Sequence, residues 1–205
     1  MREQRVVDSD GVVRCPWGAA TADYQLYHDR EWGRPTGEEV LVFERLCLEG
    51  FQSGLSWLTI LRKRDAFRRA FAGFEPDILA NFRPSDVERM LADPGIVRHR
   101  GKIEAAVDNA RATVKLHQAG ESLAALCWSF EPAPQRAPKD PGDVPGVTAS
   151  SRALASELRR RGFRFVGPTT AYALMQALGL VNDHLRDCFV RPDVERERLA
   201  FSRPR

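Results

Sequence analysis

The stretch "RGFRFVGPTTA", residues 161–171, contains two glycines, Gly162 and Gly167, and a proline followed by two threonines. Its flanks decide what it joins. Before it, "SSRALASELRRRG" opens on serine, sets Leu154 and Leu158 four apart and closes on basic residues. Gly162 stands where a left-handed cap belongs, so a helix ends at Arg161. After it, Pro168 suits a first helical position and Gly179 a stop, which predicts a second helix. Two helices joined by a short hairpin, over about 150–180, is the reading from which the rest of the chain is built.

Working outward, apolar residues recur at helical spacing from Glu38 to about Gly50 and again from Leu55 to Phe67, predicting two helices. A further helix begins at Pro84-Ser85-Asp86, with Ser85 placed to cap, and stops at "DPG", residues 93–95. Residues 101–119 form a longer one, with Ile103, Ala106, Val107 and Ala110 on its apolar face. The proline-rich loop 131–146 suits neither helix nor strand and connects two helical parts. Almost nothing alternates as a strand should, so the expected class is all-α. The expected organisation is a flexible extension at 1–13, a single helical domain over 14–190 and a flexible tail at 191–205.

A chain of 205 residues with 43% hydrophobic and 29% charged content can bury a substantial core. Four scattered cysteines, Cys15, Cys47, Cys127 and Cys188, do not make a disulfide scaffold and point to a reducing compartment. Neither a signal peptide nor a bilayer-spanning run is evident. A soluble, cytoplasmic protein without membrane contact is expected.

Three constellations could carry chemistry. His184 and Cys188 stand four apart, on one side of a helical turn, and Cys15 and His28 lie near the other end of the chain. Together they make a Cys2His2 set able to close a structural zinc site, although spacing alone also admits four unrelated side chains. The hairpin leaves backbone N–H groups uncovered beside Arg159, Arg160, Arg161 and Arg164, as a helix-hairpin-helix DNA anchor would, or as an ordinary αα-hairpin with a solvated basic turn. Glu49 sits in the apolar stretch "CLEGFQSGLSW", residues 47–57. It is either an acceptor for a cationic or amino-bearing ligand, walled by Trp17, Tyr24, Tyr27 and Trp57, or a salt-bridged residue among core aromatics. Cys47 and Cys127 read as core, and Trp32 as packing.

The blocks "CPW", "YHDREWG", "CLEGFQSGLSWLTIL", "GIVRHRGKI", "WSF", "RRRGFRFVGPTTAYALMQALGLVNDH" and "HLRDC" resemble the type I 3-methyladenine DNA glycosylases, from about Cys15 to Cys188. The resemblance implies a helix-hairpin-helix glycosylase fold whose N- and C-terminal segments are joined by one structural zinc ion on Cys15, His28, His184 and Cys188. It implies base excision repair of alkylated double-stranded DNA by hydrolysis of the N-glycosidic bond of 3-methyladenine. Glu49 becomes the catalytic carboxylate and Trp17, Tyr24, Tyr27 and Trp57 the base-binding walls. Gly54 and Leu55 become the loop entering the duplex, and Gly162, Gly167 and Thr169 the DNA anchor.

An apolar wedge at Gly54-Leu55 would hold the gap left by the extruded base. The first turn of the hairpin's second helix reads Pro168-Thr169-Thr170 where a Schiff-base lysine would stand in strand-cleaving relatives, so a monofunctional enzyme leaving an abasic site is expected. Asp183, adjacent to His184, either orders the zinc shell or assists the attacking water, and the sequence leaves the two roles open. The enzyme is expected to act as a bacterial-type monomer that meets the nucleoid through DNA. A non-catalytic damage-binding protein and a zinc-stabilised interaction module are the readings from other classes.

Overall fold

The computed structural model describes residues 11–205, so the expected extension at 1–13 lies almost wholly outside the described residues. The helices are α1 (Ala22–Arg30), α2 (Glu39–Gln52), α3 (Trp57–Ala70), α4 (Pro76–Leu79), α5 (Pro84–Ala92), α6 (Arg100–Gln118), α7 (Leu123–Trp128), α8 (Ala149–Arg160), α9 (Pro168–Ala177) and α10 (Arg191–Ala200). Among the described residues there is no extended strand. No helix is long and apolar enough to cross a membrane.

Helix α2 organises the core. Its Val42, Phe43, Leu46, Cys47, Leu48 and Phe51 are all buried, and it packs against α3, α6, α7 and α9. Phe51 meets the rings of Phe67 and Phe71 at 4.7 and 5.5 Å. Each such side chain contributes about 1.5–3 kcal/mol through burial. The apolar periodicity read from 38–50 and 55–67 is therefore the face on which the domain closes.

Helices α8 and α9 pack on one another as the expected pair. The N-H of Gly162 donates to Arg159 O at 3.0 Å and that of Phe163 to Leu158 O at 3.0 Å, the two bonds of a Schellman cap. Pro168 occupies the first turn of α9, as expected, and Gly167, which has no side chain to offer, stands at its N-cap. The pair closes at Gly179 with φ +78°, where an added Cβ would lie 2.6 Å from the backbone N of Pro35 and 2.7 Å from Gly33 O. Only glycine lets segment 33–35 lie against the end of α9.

Four local expectations are corrected. The cap of α5 is Arg83, whose N-H donates to Asp86 Oδ2 at 2.9 Å, and Ser85 lies inside the helix. In α8 the cap is Thr148, with Ser151 completing a reciprocal box. The proline-rich loop carries one 3-10 turn, Pro141–Asp143. The tail expected to fray at 191–205 forms α10 instead, because polar tethers replace an apolar face. Arg191 donates to Asn182 O and His184 O, and Arg198 to Gly179 O and Leu180 O.

Substituting Gly179→Ala forces both a left-handed alanine and a backbone clash, and should destabilise the fold by about 2 kcal/mol or more. Thermal unfolding checks this; a variant melting with the parent removes the close approach from the account.

Candidate active site

The site begins where the two chain ends meet. Cys15, His28, His184 and Cys188 are all buried, and their ligand atoms lie within 4.8 Å of one another. His184 Nδ1 is 3.2 Å from His28 Nε2, and Cys188 Sγ lies 3.5 Å from His28 Nε2 and 3.6 Å from His184 Nδ1. Cys15 Sγ lies 3.8 Å from His184 Nδ1. Bonds of about 2.0–2.3 Å from a central ion to tetrahedral ligands give edges of this size, so the donor set fits a metal such as zinc. His184 and Cys188 meet through successive turns, since residues 181–190 are not helical.

The surroundings match that reading. His28 Nδ1 lies 2.7 Å from Asp29 Oδ1, and His184 Nε2 3.0 Å from Trp32 O, so each ring's second nitrogen has an acceptor. Arg14 in turn holds Asp29 at 2.9 Å. The hydrogen bond between the two sulfurs is the main force pulling the Cys188 thiol well below its usual range while raising that of Cys15. Gly18 is required here, because a Cβ would fall 2.5 Å from the His28 ring.

Beside the cluster opens a cavity of about 410 Å³ whose walls include Trp17, Tyr24, Tyr27, Glu49 and Trp57, the five side chains expected to share a site. Tyr24 and Tyr27 both come from α1, capped by Thr21. The rings form a continuous wall, with Trp17 to Tyr24 at 5.6 Å and Tyr27 to Trp57 at 5.4 Å. The amide of the second residue of α3, Leu58 N-H, donates to Tyr24 Oη at 3.0 Å and fixes that ring. Trp57 Nε1 is buried without a partner among the described residues, a donor left for a ligand. Trp32 packs edge-on to His184 at 4.7 Å and to Trp17 at 5.0 Å, but, beyond the packing role expected of it, it also lines the cavity and so carries the metal cluster's position into the wall. Sequence reasoning missed Gln52, Gln176 and the Pro141 and Val144 side of the proline-rich loop, which also line the cavity.

Glu49 is buried, and burial raises its pKa to about 8 against the opposing pull of the Arg45 guanidinium. Its neighbour on α2, Glu44, is neutralised by Arg68 at 2.8 Å, whereas Glu49 has no ion pair among the described residues. The salt-bridged alternative is thus taken by the wrong glutamate. Asp183 is also on the cavity wall, accepting from Tyr172 Oη at 2.6 Å and Gln176 Nε2 at 2.8 Å. The second nitrogens of the two imidazoles face Asp29 and the Trp32 carbonyl, while the Asp183 carboxylate has its partners in Tyr172 and Gln176.

The residues expected to meet DNA lie on two turns. Gly54 adopts φ +79° and Leu55 is 41% exposed, between α2 and α3. Gly162, Gly167 and Thr169 line the hairpin, whose Phe165 holds φ 56° in the left-handed region. The basic cluster is largely neutralised. Arg160 and Arg161 are held by Glu157, and Arg164 by Asp108 at 2.6 Å, which leaves Arg159 with no ion pair among the described residues. Of the turn's own amides, those of Gly162, Phe163 and Arg164 are already bonded within the fold.

Burial of Glu49 also makes a stability statement. A carboxyl whose folded pKa lies above its ordinary 4.5 stabilises the fold fully below that value, and the contribution is lost as pH rises through about 8. Replacing Glu49 by Gln should leave melting little changed near about pH 4 and raise it relative to the parent near about pH 9. A constant offset across that range would show that Glu49 is not buried in its protonated form.

A family model described as methyladenine glycosylase matches residues 17–191. The chain is 44% identical to a DNA-3-methyladenine glycosylase of Haemophilus influenzae over 180 residues, covering 86% of this chain and 97% of the relative. It is 45% identical to DNA-3-methyladenine glycosylase 1 of Escherichia coli over 184 residues, covering 88% and 98%. Among solved structures, a crystal structure of a 3-methyladenine DNA glycosylase I superposes with TM-score 0.83 at 48% identity, covering 86% of this chain and 98% of the other. Another, determined in complex with 3-methyladenine, superposes with TM-score 0.83 at 36% identity, covering 87% and 97%.

Proposed function

The chain belongs to the methyladenine glycosylase family, and we propose that it repairs alkylated DNA by extruding 3-methyladenine and hydrolysing its N-glycosidic bond. The observation that carries this reading is a buried carboxyl, Glu49, with no ion pair among the described residues, facing a cavity walled by five aromatic rings. A 3-methylated adenine is cationic while attached to its sugar, so its bond is already weak and no strong general acid is needed. Aromatic faces and a carboxylate both favour such a cation over an unmodified, neutral base. Trp57 and Tyr27 stack on the extruded base, and Glu49 accepts from the edge bearing its exocyclic amine.

Gly54 and Leu55 enter the duplex and fill the gap, while the hairpin at Gly162, Gly167 and Thr169 grips the phosphate backbone. Pro168-Thr169-Thr170 offers no amine to the sugar, so water is the nucleophile and an abasic site the product. Asp183, fixed by Tyr172 and Gln176, is the carboxylate available to orient that water. Cys15, His28, His184 and Cys188 hold one zinc ion, which supplies structure and takes no part in the reaction. The protein works as a cytoplasmic monomer on nucleoid DNA.

The deciding assay is release of free base from methylated duplex DNA. The parent should liberate 3-methyladenine and leave 7-methylguanine in place, with Glu49→Gln slower by about tenfold or more. No release from metal-loaded, folded protein would favour the damage-binding reading instead. Asp183→Asn separates the two roles open to that residue: slowed release with full metal content supports water positioning, and loss of metal returns it to the ligand shell. Elemental analysis should give one zinc per chain, lost together with thermal stability in Cys188→Ser.

A further inference from the structure

The two turns assigned to DNA are held by a single helix. On α6, the Asn109 amide pairs with the backbone of Arg164 as a peptide would, Nδ2 donating to its O at 3.2 Å and Oδ1 accepting from its N-H at 2.7 Å. That bond fixes the hairpin. Seven residues earlier, on the same face of α6, Lys102 is only 7% exposed. Its Nζ donates to Phe51 O at 2.9 Å and Ser53 O at 2.5 Å. Phe51 lies in the last turn of α2, where carbonyls lack intrahelical partners, and Ser53 immediately precedes Gly54-Leu55.

An ammonium is costly to bury, and desolvation lowers the pKa of this one. Both of its partners are carbonyls of the turn rather than a carboxylate. If capping α2 were all that was needed, an exposed lysine would do it at less cost. A buried one acts as a strut of fixed length between α6 and the turn. The N-cap of the same helix, His99, lies edge-on to Phe165 of the hairpin at 6.2 Å, so both turns are referenced to the first three turns of α6.

We propose that Lys102 is a positioning residue for base extrusion: it sets the height of Leu55 above the hairpin, so that gripping the backbone and opening the stack occur in register. This rests on the reading of Leu55 as the wedge, and the test separates the two.

Single-turnover release of 3-methyladenine from duplex DNA is measured for Lys102→Met, Leu55→Ala and the pair. Lys102→Met should slow release by about tenfold while metal content and affinity for free 3-methyladenine, read from tryptophan fluorescence, stay at the parent's values. Added to Leu55→Ala it should cost nothing further, because it acts only through the wedge. Losses that add, a parental rate for Lys102→Met, or weakened binding of the free base would each overturn the proposal while leaving the wedge intact. A parental rate for Leu55→Ala would overturn the wedge itself. Should the methionine variant not fold, Lys102→Gln, which keeps one donor group on the turn, is read through the same cycle.

Discussion

The joining of residues 15 and 28 to residues 184 and 188 is the constraint on which the site depends. Helix α1 is nine residues long and buries only Tyr27 and His28. A helix of that length has little stability of its own and here presents almost no apolar face. What holds it is His28 in the Cys2His2 cluster, together with the ion pairs of Asp23 with Arg62 and Glu31 with Arg64 to α3. Because Tyr24 and Tyr27 ride on α1, and Trp17 and Trp32 flank it, the aromatic wall of the cavity inherits its position from the cluster. The metal-type residues are therefore structural in the strict sense that they set the distance between the rings and Glu49.

Glu49 shows the opposite economy. Helix α2 is buried against four others, and a carboxyl on it must either find a cation or remain protonated. Glu44 finds Arg68; Glu49 is left with the indirect field of Arg45. Such an arrangement costs stability at neutral pH and is retained at the mouth of a cavity, which is where a carboxyl of shifted pKa is a functional group rather than a packing error. The same core that gives the domain its rigidity thus prepares the group to which charge recognition is assigned in the proposed reaction.

Legibility in the sequence followed how each element is stabilised. Helices held by an apolar face, α2, α3 and α6, were readable because periodicity reports burial directly. Helix α10, with Val194 its one buried residue, was not, since arginine bonds to carbonyls of the 179–184 segment leave no pattern in composition. The ligand set was only partly readable, since its spacing also admitted four unrelated buried side chains, and the resemblance resolved what spacing left open. Asp29 went unnoticed although it adjoins His28. Which of several carboxylates faces an imidazole is decided by the turn of a helix and by Arg14, not by sequence order. Gln176, Pro141 and Val144 reach the cavity only through the packing of distant segments, and no local pattern announces them.

The shifted pKa of Glu49 also bears on how a cation-binding pocket releases a neutral product. On the proposed reaction, the extruded nucleotide brings a positive charge that favours the ionised carboxylate and offsets its desolvation. Cleavage of the glycosidic bond removes that charge. Burial, which raises the Glu49 pKa to about 8, then again favours its protonated form, and the pocket loses the ion pair that recommended the base. Substrate and product differ by one charge, and on the proposed reaction the buried carboxyl makes the pocket hold the base more strongly before cleavage than after it. A carboxylate held in a salt bridge, as Glu44 is by Arg68, would offer no such distinction.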